Sequence, residues 1–473
     1  MKKLYRIIVL SASLLISATA AFAGQNLRTG YFLDGYTYRY QLNPAFQGER
    51  GYFAIPVLGY TSLGIESNLA LSTFLYPTGN GNLTTALNSS ISDDTFLNAL
   101  NKRNHLNVNL NTSLISFGFH TKKSWHTVDI SLKSDMNLNL PKDLFRFMKV
   151  GAADGNTSYD ISNIGARVES RLELAYGYSR TIADWIHVGA RLKFLVGLVR
   201  ADMSMDNMQL DLSGEEWSIR SQGHMNIAGP VHLGTKEGML DWDSFEFDSA
   251  NLVPRNFGGA VDIGVAFDFL EYFTASASVL DLGFISWNNN VVGTTPDYSW
   301  RFNGFGDITS EDNALDKQLE GIGNELLNAF DFVGEPDARK SIMLAATLHV
   351  GLEAKMPFYE RLSFGLLGTR RFNGAYSWTE GRLSANVAPL NWLSLAADYA
   401  ISDFGHSVGA ALNIHAKGFT MFIGTDSFLP LCSVTPKYFI PVERLNTNLA
   451  FGLNISFGKY KGRFVKDKVE DKK

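Results

Sequence analysis

Stretches in which apolar and polar residues alternate recur along this chain, and they constrain its fold more than any other feature. A strand places successive side chains on opposite faces, so such a stretch has one apolar face and one polar face. One stretch spans 128–140 and another spans 164–178. Both exceed the about five to six residues of a common soluble strand. Both also reach the roughly nine to eleven residues that a tilted membrane strand needs.

The alternation predicts strands that face lipid on one side and a lumen on the other. The apolar positions of the first stretch are Val128, Ile130, Leu132, Met136, Leu138 and Leu140. Because the bilayer core offers the backbone no water, strands there must bond to one another in a closed ring. The sequence therefore predicts an all-β fold, a transmembrane antiparallel β-barrel.

Short turns followed by an aromatic residue separate the alternating stretches, as in Ala183-Asp184-Trp185 and Asn391-Trp392. Barrels keep their tight turns on the periplasmic side and place aromatic residues at the membrane interface. Pairing across these turns predicts hairpins near 106–140, 162–200, 258–285, 342–372, 380–402 and 407–426. With a first strand within 51–70 and a last strand at 447–457, the barrel has about 14 strands, an even number as bacterial barrels require.

The longer connections then lie on the outer side of the membrane, and both termini lie in the periplasm. The predicted outer loops are 72–105, 141–161, 201–257, 286–341 and 427–446. The two longest, 201–257 and 286–341, are acidic, and the second contains helical spacing from Leu315 to Phe330. The barrel domain as a whole is expected to cover residues 51–458.

Residues 1–23 have the three parts of a secretory signal peptide. The basic residues, the apolar stretch and the cleavage site are, in order, Lys2, Lys3 and Arg6; residues 7–16; and Ala21-Phe22-Ala23. An N-terminal membrane anchor, the alternative, needs about 20 apolar residues. The mature chain is expected to begin at Gly24 and to reach the bacterial outer membrane, with a charged periplasmic tail at 459–473.

The last predicted strand ends on an aromatic residue. Its apolar positions are Leu449, Phe451, Leu453, Ile455 and Phe457. A soluble sandwich could show the same alternation in one strand, but the signal peptide and the other strands favour a barrel. Phe457 is expected to be the assembly signal, with the barrel-assembly machinery and outer-membrane lipid as partners.

Composition narrows the chemistry. The formal net charge of -5 becomes -8 once the three basic signal residues are removed, which argues against nucleic acid as a partner. The single Cys432 excludes an internal disulfide and a Cys-based zinc site. Asp241, Asp243, Glu246 and Asp248 could hold a hard cation, but they lack an EF-hand pattern. We interpret them as a solvated loop, and we expect no metal and no cofactor.

Residues 405–409 match the G-x-S-x-G pattern of a hydrolase nucleophile, with Ser407 at its centre. That mechanism requires a strand, a strained turn that exposes the serine, and then a helix. Here Val408, Ala410 and Leu412 continue an alternating strand, so we interpret the segment as a barrel hairpin. The protein is not expected to be an enzyme, and a hydrolase at Ser407 is kept as a third hypothesis.

Charges of alternating sign occupy the polar faces of the strands in 126–140 and 162–200. These predicted lumen-facing charges are Asp129, Lys133, Asp135, Arg167, Glu169, Arg171, Glu173, Arg191 and Lys193. They predict a cross-strand ion-pair network that braces the wall. The inward faces of later strands have fewer charges, so an apolar ligand is expected to prefer the second half of the barrel or the outer loops.

Between the signal and the first strand, Asn43-Pro44-Ala45-Phe46 resembles the N-terminal hatch of FadL-type long-chain fatty-acid transporters. The strand count and the two dominant outer loops also resemble that family. Pro141-Lys142-Asp143-Leu144-Phe145 resembles an uncharacterised outer-membrane family, a domain of unknown function related to these barrels. The resemblance implies that residues 24–50 form a hatch that plugs the lumen, and that apolar ligands enter from the outer loops.

Two functions from different classes follow from these observations. The first is uptake of small hydrophobic or amphipathic molecules through a plugged barrel that acts as a monomer. The second is a scaffold or secretion component that does not transport small molecules, like the FadL-type shuttle barrel of the type IX secretion system. In that case the outer loops would bind protein cargo.

Overall fold

The computed structural model describes residues 26–78, 82–151, 158–212, 217–247, 255–295, 298–302, 331–428, 432–434, 439–441 and 444–459. Fourteen antiparallel strands form a closed wall, in which the last strand pairs with the first. Each strand is hydrogen-bonded to the strands before and after it, which satisfies the backbone without water. The predicted fold class, a transmembrane β-barrel of about 14 strands, is confirmed.

The strands of the wall are named in chain order. They are β1 (Gly51–Ala54 and Thr61–Ala70), β2 (Arg103–Thr121), β3 (Ser124–Pro141), β4 (Ile164–Ala183), β5 (Ile186–Asp211), β6 (Asn256–Phe269), β7 (Phe273–Thr294), β8 (Ala346–Met356), β9 (Tyr359–Phe372), β10 (Trp378–Leu390), β11 (Leu393–Ser402), β12 (Gly405–Ala416), β13 (Phe419–Thr425) and β14 (Arg444–Phe457).

All six predicted hairpins are present, and their tight turns lie at one end of the barrel, here the short-turn end. Exposed aromatic side chains cluster there, such as Trp185, Phe269, Phe358 and Trp392. The opposite, long-loop end carries the longer connections. Among the residues described, no helix is long and apolar enough to cross a bilayer.

Smaller elements lie mainly at the long-loop end. The helices are α1 (Asp93–Asn98) and α2 (Lys142–Val150), with 3-10 turns at Leu71–Thr73 and Gly374–Tyr376. Further strands are Leu75–Pro77, Leu83–Thr85, Ser158–Asp160, Trp217–Ala228, Val231–Lys236, Met239–Phe247, Tyr298–Phe302, Val333–Met343, Cys432–Val434 and Phe439–Pro441.

The ranges 201–257 and 286–341, predicted as long outer loops, contain strands. β5 continues to Asp211 and pairs with Trp217–Ala228, which in turn pairs with the outer end of β7. The sheet therefore extends beyond the length that a membrane requires. The predicted helix at 315–330, the signal peptide at 1–23, Asp248 and residues 460–473 of the tail lie outside the described residues.

The first strand is interrupted, whereas the alternation predicts one strand within 51–70. Ala54 pairs with Asn454 of β14, and Thr61 pairs with Phe451. Between these two pairings, β1 moves on by seven residues and β14 by three, so β1 contains four extra residues. The excess forms an outward turn at 55–60, in which Val57 and Leu58 are exposed to the lipid side and Tyr60 is buried. Pro56 and Gly59 supply its turn residues.

Burial follows the predicted alternation. Leu174, Leu192 and Phe194 are exposed on the outer face, while Glu173 and Arg191 are buried on the inner face. The same holds in β14, where Leu449, Ile455 and Phe457 are exposed. A bilayer covers this apolar outer face, and the buried interior is the lumen.

Candidate functional site in the barrel lumen

Residues 26–50 run through the lumen and contact strands on different sides of the wall. The Tyr38 hydroxyl donates to Asn454 Oδ1 in β14 at 2.7 Å. The Tyr40 hydroxyl donates to Asp129 Oδ1 in β3 at 2.6 Å. Two 3-10 turns, Arg28–Gly30 and Arg39–Gln41, compact the segment locally. The segment is thereby held from several directions at once.

Aromatic side chains pack between this segment and the wall. Its buried rings are Tyr31, Phe32, Tyr36, Tyr38, Tyr40 and Phe46. The Tyr38 ring lies 4.9 Å from that of Tyr60, in the turn between the two parts of β1, and the Tyr36 ring lies 4.9 Å from that of Phe422 in β13. Each such ring buries about 150–250 Å². Burial also raises the pKa of Tyr36 and Tyr38, so both hydroxyls stay neutral.

The Asn43-Pro44 element forms a turn against the wall. Asn43 Oδ1 accepts a hydrogen bond from the Ala45 backbone N–H at 3.0 Å, which is an Asx turn. Asn43 Nδ2 donates to the Val265 and Ala277 carbonyls of β6 and β7, both at 3.3 Å. The buried Asn43 side chain therefore uses both its donor and its acceptor.

Glycines in the wall make room for this turn. A Cβ added to Gly189 of β5 would lie 2.0 Å from the Pro44 carbonyl oxygen. A Cβ added to Gly264 of β6 would lie 2.0 Å from Asn43 Oδ1. Phe46 is also buried, with the Arg39 guanidinium 4.4 Å from its ring centroid. The predicted hatch residues Asn43, Pro44, Ala45 and Phe46 thus lie together beside β5 to β7, and their role as a plug stays a prediction.

Arg28 anchors the other end of the segment. Its guanidinium lies 2.8 Å from Glu66 in β1, 3.0 Å from Glu380 in β10, and 3.6 Å from Asp426 after β13. Burial alone lowers the pKa of Arg28, but these three carboxylates outweigh burial and raise it. The Thr29 backbone N–H also donates to Asp426 at 2.7 Å. Arg28 therefore stays charged and ties the segment to widely separated strands.

The charges nearest the middle of the lumen form one buried ion-pair cluster. Arg191 contacts Asp129 at 3.1 Å and Asp262 at 3.0 Å. Lys193 contacts Asp262 at 2.7 Å and lies 3.5 Å from Glu173. These pairs connect β3, β4, β5 and β6 across the inner face of the wall.

A second group of pairs lies nearer the long-loop end. Arg171 lies 3.2 Å from Glu169 and 3.4 Å from Asp135, which also contacts Arg371 of β9 at 3.0 Å. Arg167 contacts Asp202 at 2.9 Å. Lys133 belongs to the central cluster, 2.9 Å from Glu173. All nine predicted charges thus have ionic partners, and what they do in function stays a prediction.

The second half of the barrel also carries buried charges that the sequence interpretation underrated. Arg382 contacts Glu380 at 3.1 Å and pairs with Asp398. Glu353 of β8 is buried as well. The sequence pattern does indicate these charges, because Glu380 and Arg382 occupy successive inward positions of β10. The expected preference of an apolar ligand for this half is therefore not supported by its lining.

Apolar side chains gather instead at the long-loop end. The strands within 201–257 and 286–341 enclose a buried cluster that includes Tyr159, Met205, Met208, Leu210, Met225, Leu240 and Phe332. Methionine side chains are flexible and adapt to irregular contacts. This cluster is separated from the lumenal aromatic rings by the charged pairs of β3 to β5.

Residues 405–409 do not form the strand, strained turn and helix that a hydrolase nucleophile requires. Ser407 lies within β12, where it pairs with Ala400, and the segment continues as a strand rather than a turn and helix. Within the described ranges, no group of three or more His, Cys, Asp or Glu is placed to hold a metal ion.

A closed barrel with an even number of strands, an apolar outer face and a polar interior defines an outer-membrane β-barrel protein. A model described as a family of unknown function, DUF5723, matches residues 44–426. The chain belongs to this family, and the predicted resemblance to an uncharacterised outer-membrane family is confirmed. A comparison with curated proteins finds no match.

Solved structures with a similar course of the chain include three barrels. The toluene transporter TbuX of Ralstonia pickettii is 9% identical, and the match covers 93% of this chain and 97% of that chain with a TM-score of 0.42. The toluene transporter TodX of Pseudomonas putida is also 9% identical, and the match covers 92% of this chain and 97% of that chain with a TM-score of 0.39. A FadL homologue of Pseudomonas aeruginosa is 10% identical, and the match covers 92% of this chain and 98% of that chain with a TM-score of 0.39. Similarity at this level does not identify a substrate.

Proposed function

We propose that this protein is an outer-membrane channel for the uptake of small hydrophobic or amphipathic molecules, closed at rest by residues 26–50. The observation that supports this most is the course of that segment through the lumen, where it contacts strands all round the wall. A barrel of about 14 strands encloses more space than its wall side chains fill. In this proposal the short-turn end and both termini face the periplasm.

The methionine-rich cluster at the long-loop end is the proposed site of entry. It is apolar, and its methionines can repack around a ligand. The charged middle of the lumen, by contrast, would be a poor environment for an apolar molecule, because the molecule would have to displace paired charges. An apolar ligand therefore needs a route that avoids the ion-pair cluster.

The interruption of β1 offers such a route. The outward turn at 55–60 interrupts β1 between β14 and β2, and only a few backbone hydrogen bonds, such as Val57 N–H to the Ser113 carbonyl at 2.9 Å, join it to these strands. Tyr60 and Tyr52 lie buried behind it among the aromatic rings of residues 26–50. A Cβ on Gly59 would lie 2.3 Å from Ala54 Cβ, so the turn is tightly closed as it stands. Movement of the turn would connect the aromatic cluster with lipid.

Deleting residues 56–59 tests both the proposed function and the proposed route of the ligand out of the barrel at the turn 55–60. The deletion removes the four excess residues, so that Ile55 and Tyr60 become consecutive residues of one continuous strand opposite β14. Because an even number of residues is removed, the Ile55 side chain still faces outward and the Tyr60 side chain still faces the lumen. Uptake of radiolabelled toluene and decanoate is measured in host cells without their own channels for such compounds. We expect uptake above that of cells with empty vector, and at least a tenfold loss in the deletion variant.

The control is Phe358→Ala, which changes an exposed residue at a short turn and should leave uptake unchanged. Heat-modifiable migration checks that each variant folds. If the intact protein gives no uptake above empty vector, the proposed function is wrong. If the deletion variant folds and transports normally, the exit lies elsewhere.

A second candidate, a scaffold or secretion barrel, is favoured by the surplus length of the strands. β5 has 26 residues and β7 has 22, whereas a membrane strand needs about 9–11. The surplus and the strands paired with it present a broad surface beyond the membrane. Removing 217–247 should abolish cargo binding if this candidate is correct, without changing insertion of the barrel.

A further inference from the structure

A pocket of about 220 Å³ lies at the mouth of the lumen, at the long-loop end. The inward positions Arg103, His105 and Asn107 of β2 form one side of it. The other side comes from the turn that leads into β10 and from the turn between β11 and β12. It is thus distinct from the methionine-rich cluster and from the charged middle of the lumen.

Among the residues that the structure describes, one buried polar atom of this pocket has no hydrogen-bond partner. Asn107 is only 3% exposed, and its Oδ1 accepts no hydrogen bond from the part of the protein that the structure describes. Leaving a buried amide oxygen without a partner is unfavourable. A donor from a bound molecule would satisfy it, so the pocket offers an unused hydrogen-bonding position.

The charges around the pocket are balanced. Arg103 contributes a positive charge and Asp403 a negative one, and Asp403 Oδ2 already accepts a hydrogen bond from the Thr379 N–H at 2.8 Å. The amides of Asn101 and Asn107 add groups that can both donate and accept. A lining of this kind suits a neutral ligand whose polar groups can both donate and accept hydrogen bonds, as hydroxyl groups do.

Aromatic side chains close the opposite side. Tyr376, Trp378 and Phe404 line the pocket, and the rings of Trp378 and Phe404 are 6.0 Å apart. The pocket is smaller than the roughly 300–1,000 Å³ of common sites for drug-sized ligands. We propose that it binds a neutral, hydroxyl-rich molecule of the size of one sugar ring, with Asn107 as a hydrogen-bond acceptor. This goes beyond the uptake of hydrophobic molecules and does not depend on it.

The test measures equilibrium binding to the full-length protein in detergent by calorimetry. The probes are glucose, galactose, mannose and N-acetylglucosamine, with glucuronate as a ring that carries a charge and toluene as an apolar probe. We expect saturable binding of at least one neutral sugar, and at least tenfold weaker binding by Asn107→Leu. Asn107→Ser, a smaller change, should also weaken binding.

The matched control is Asn109→Leu, two residues further along the same face of β2 and outside the pocket. It should bind the sugar normally. The proposal is overturned if no neutral sugar binds, if glucuronate or toluene binds more tightly than every neutral sugar, or if folded Asn107 and Asn109 variants lose binding equally. None of these outcomes bears on uptake, which is measured separately in cells.

Discussion

At the scale of single residues, Arg28 ties the segment 26–50 to several strands of the wall. It lies between three carboxylates contributed by Glu66, Glu380 and Asp426, which belong to distant parts of the wall. It also lies over the ring of Trp378, 5.0 Å from its centroid. All four charged groups are buried, so removing Arg28 takes a cation away from three buried carboxylates, of which Glu380 also contacts Arg382 at 3.1 Å.

Arg28→Met should therefore destabilise the position of residues 26–50 in the lumen. Removing one partner from a buried ionic cluster costs about 3–5 kcal/mol. We expect a lower midpoint of thermal unfolding in detergent and faster protease cleavage within 26–50. The control is Arg50→Met at the exposed short-turn end, where Arg50 donates to the Gly458 carbonyl and a change of about 0.5 kcal/mol or less is expected. Equal midpoints and cleavage rates for the two variants would contradict the anchoring role.

At the scale of single elements, the hairpins could be predicted because their information is local. Alternation shows which face of the wall each side chain occupies, and an aromatic residue beside a short turn shows which end of the barrel that turn belongs to. The strand Trp217–Ala228 could not be predicted in this way, because its pairing partners in β5 and β7 stabilise it rather than a long apolar face. The interruption at 55–60 was hidden because one strand across 51–70 satisfies the alternation equally well.

The last strand carries the prediction that belongs to this scale. Phe457 pairs with Gly51 of β1, and its exposed ring lies over that glycine. We expect Phe457→Ala to lower the amount of heat-modifiable barrel in the outer membrane severalfold, since the final aromatic is the expected assembly signal. Deleting 460–473 should leave that amount unchanged. If the truncation blocks insertion while Phe457→Ala inserts normally, the assembly signal has been misplaced.

For the whole molecule, closure of the barrel and its strand number followed from the sequence, but the contents of the lumen followed only in part. The position of Asn43-Pro44 between signal and barrel predicted a hatch, and the two residues do lie in the lumen. The glycines that admit them, Gly189 and Gly264, could not be identified beforehand. Which side chains meet inside depends on ring closure, which brings together residues far apart in the chain.

The central claim is that residues 26–50 close the barrel, and single-channel conductance in a planar bilayer tests it most directly. Deleting 26–46 should leave a folded barrel, because the fourteen strands bond to one another independently of the segment and water can hydrate the carboxylates that lose Arg28. We predict that the intact protein is nearly silent and that the truncated protein conducts ions in large, steady steps. Equal conductance of two folded proteins would contradict the claim, because the lumen would then be open, or blocked, regardless of residues 26–46.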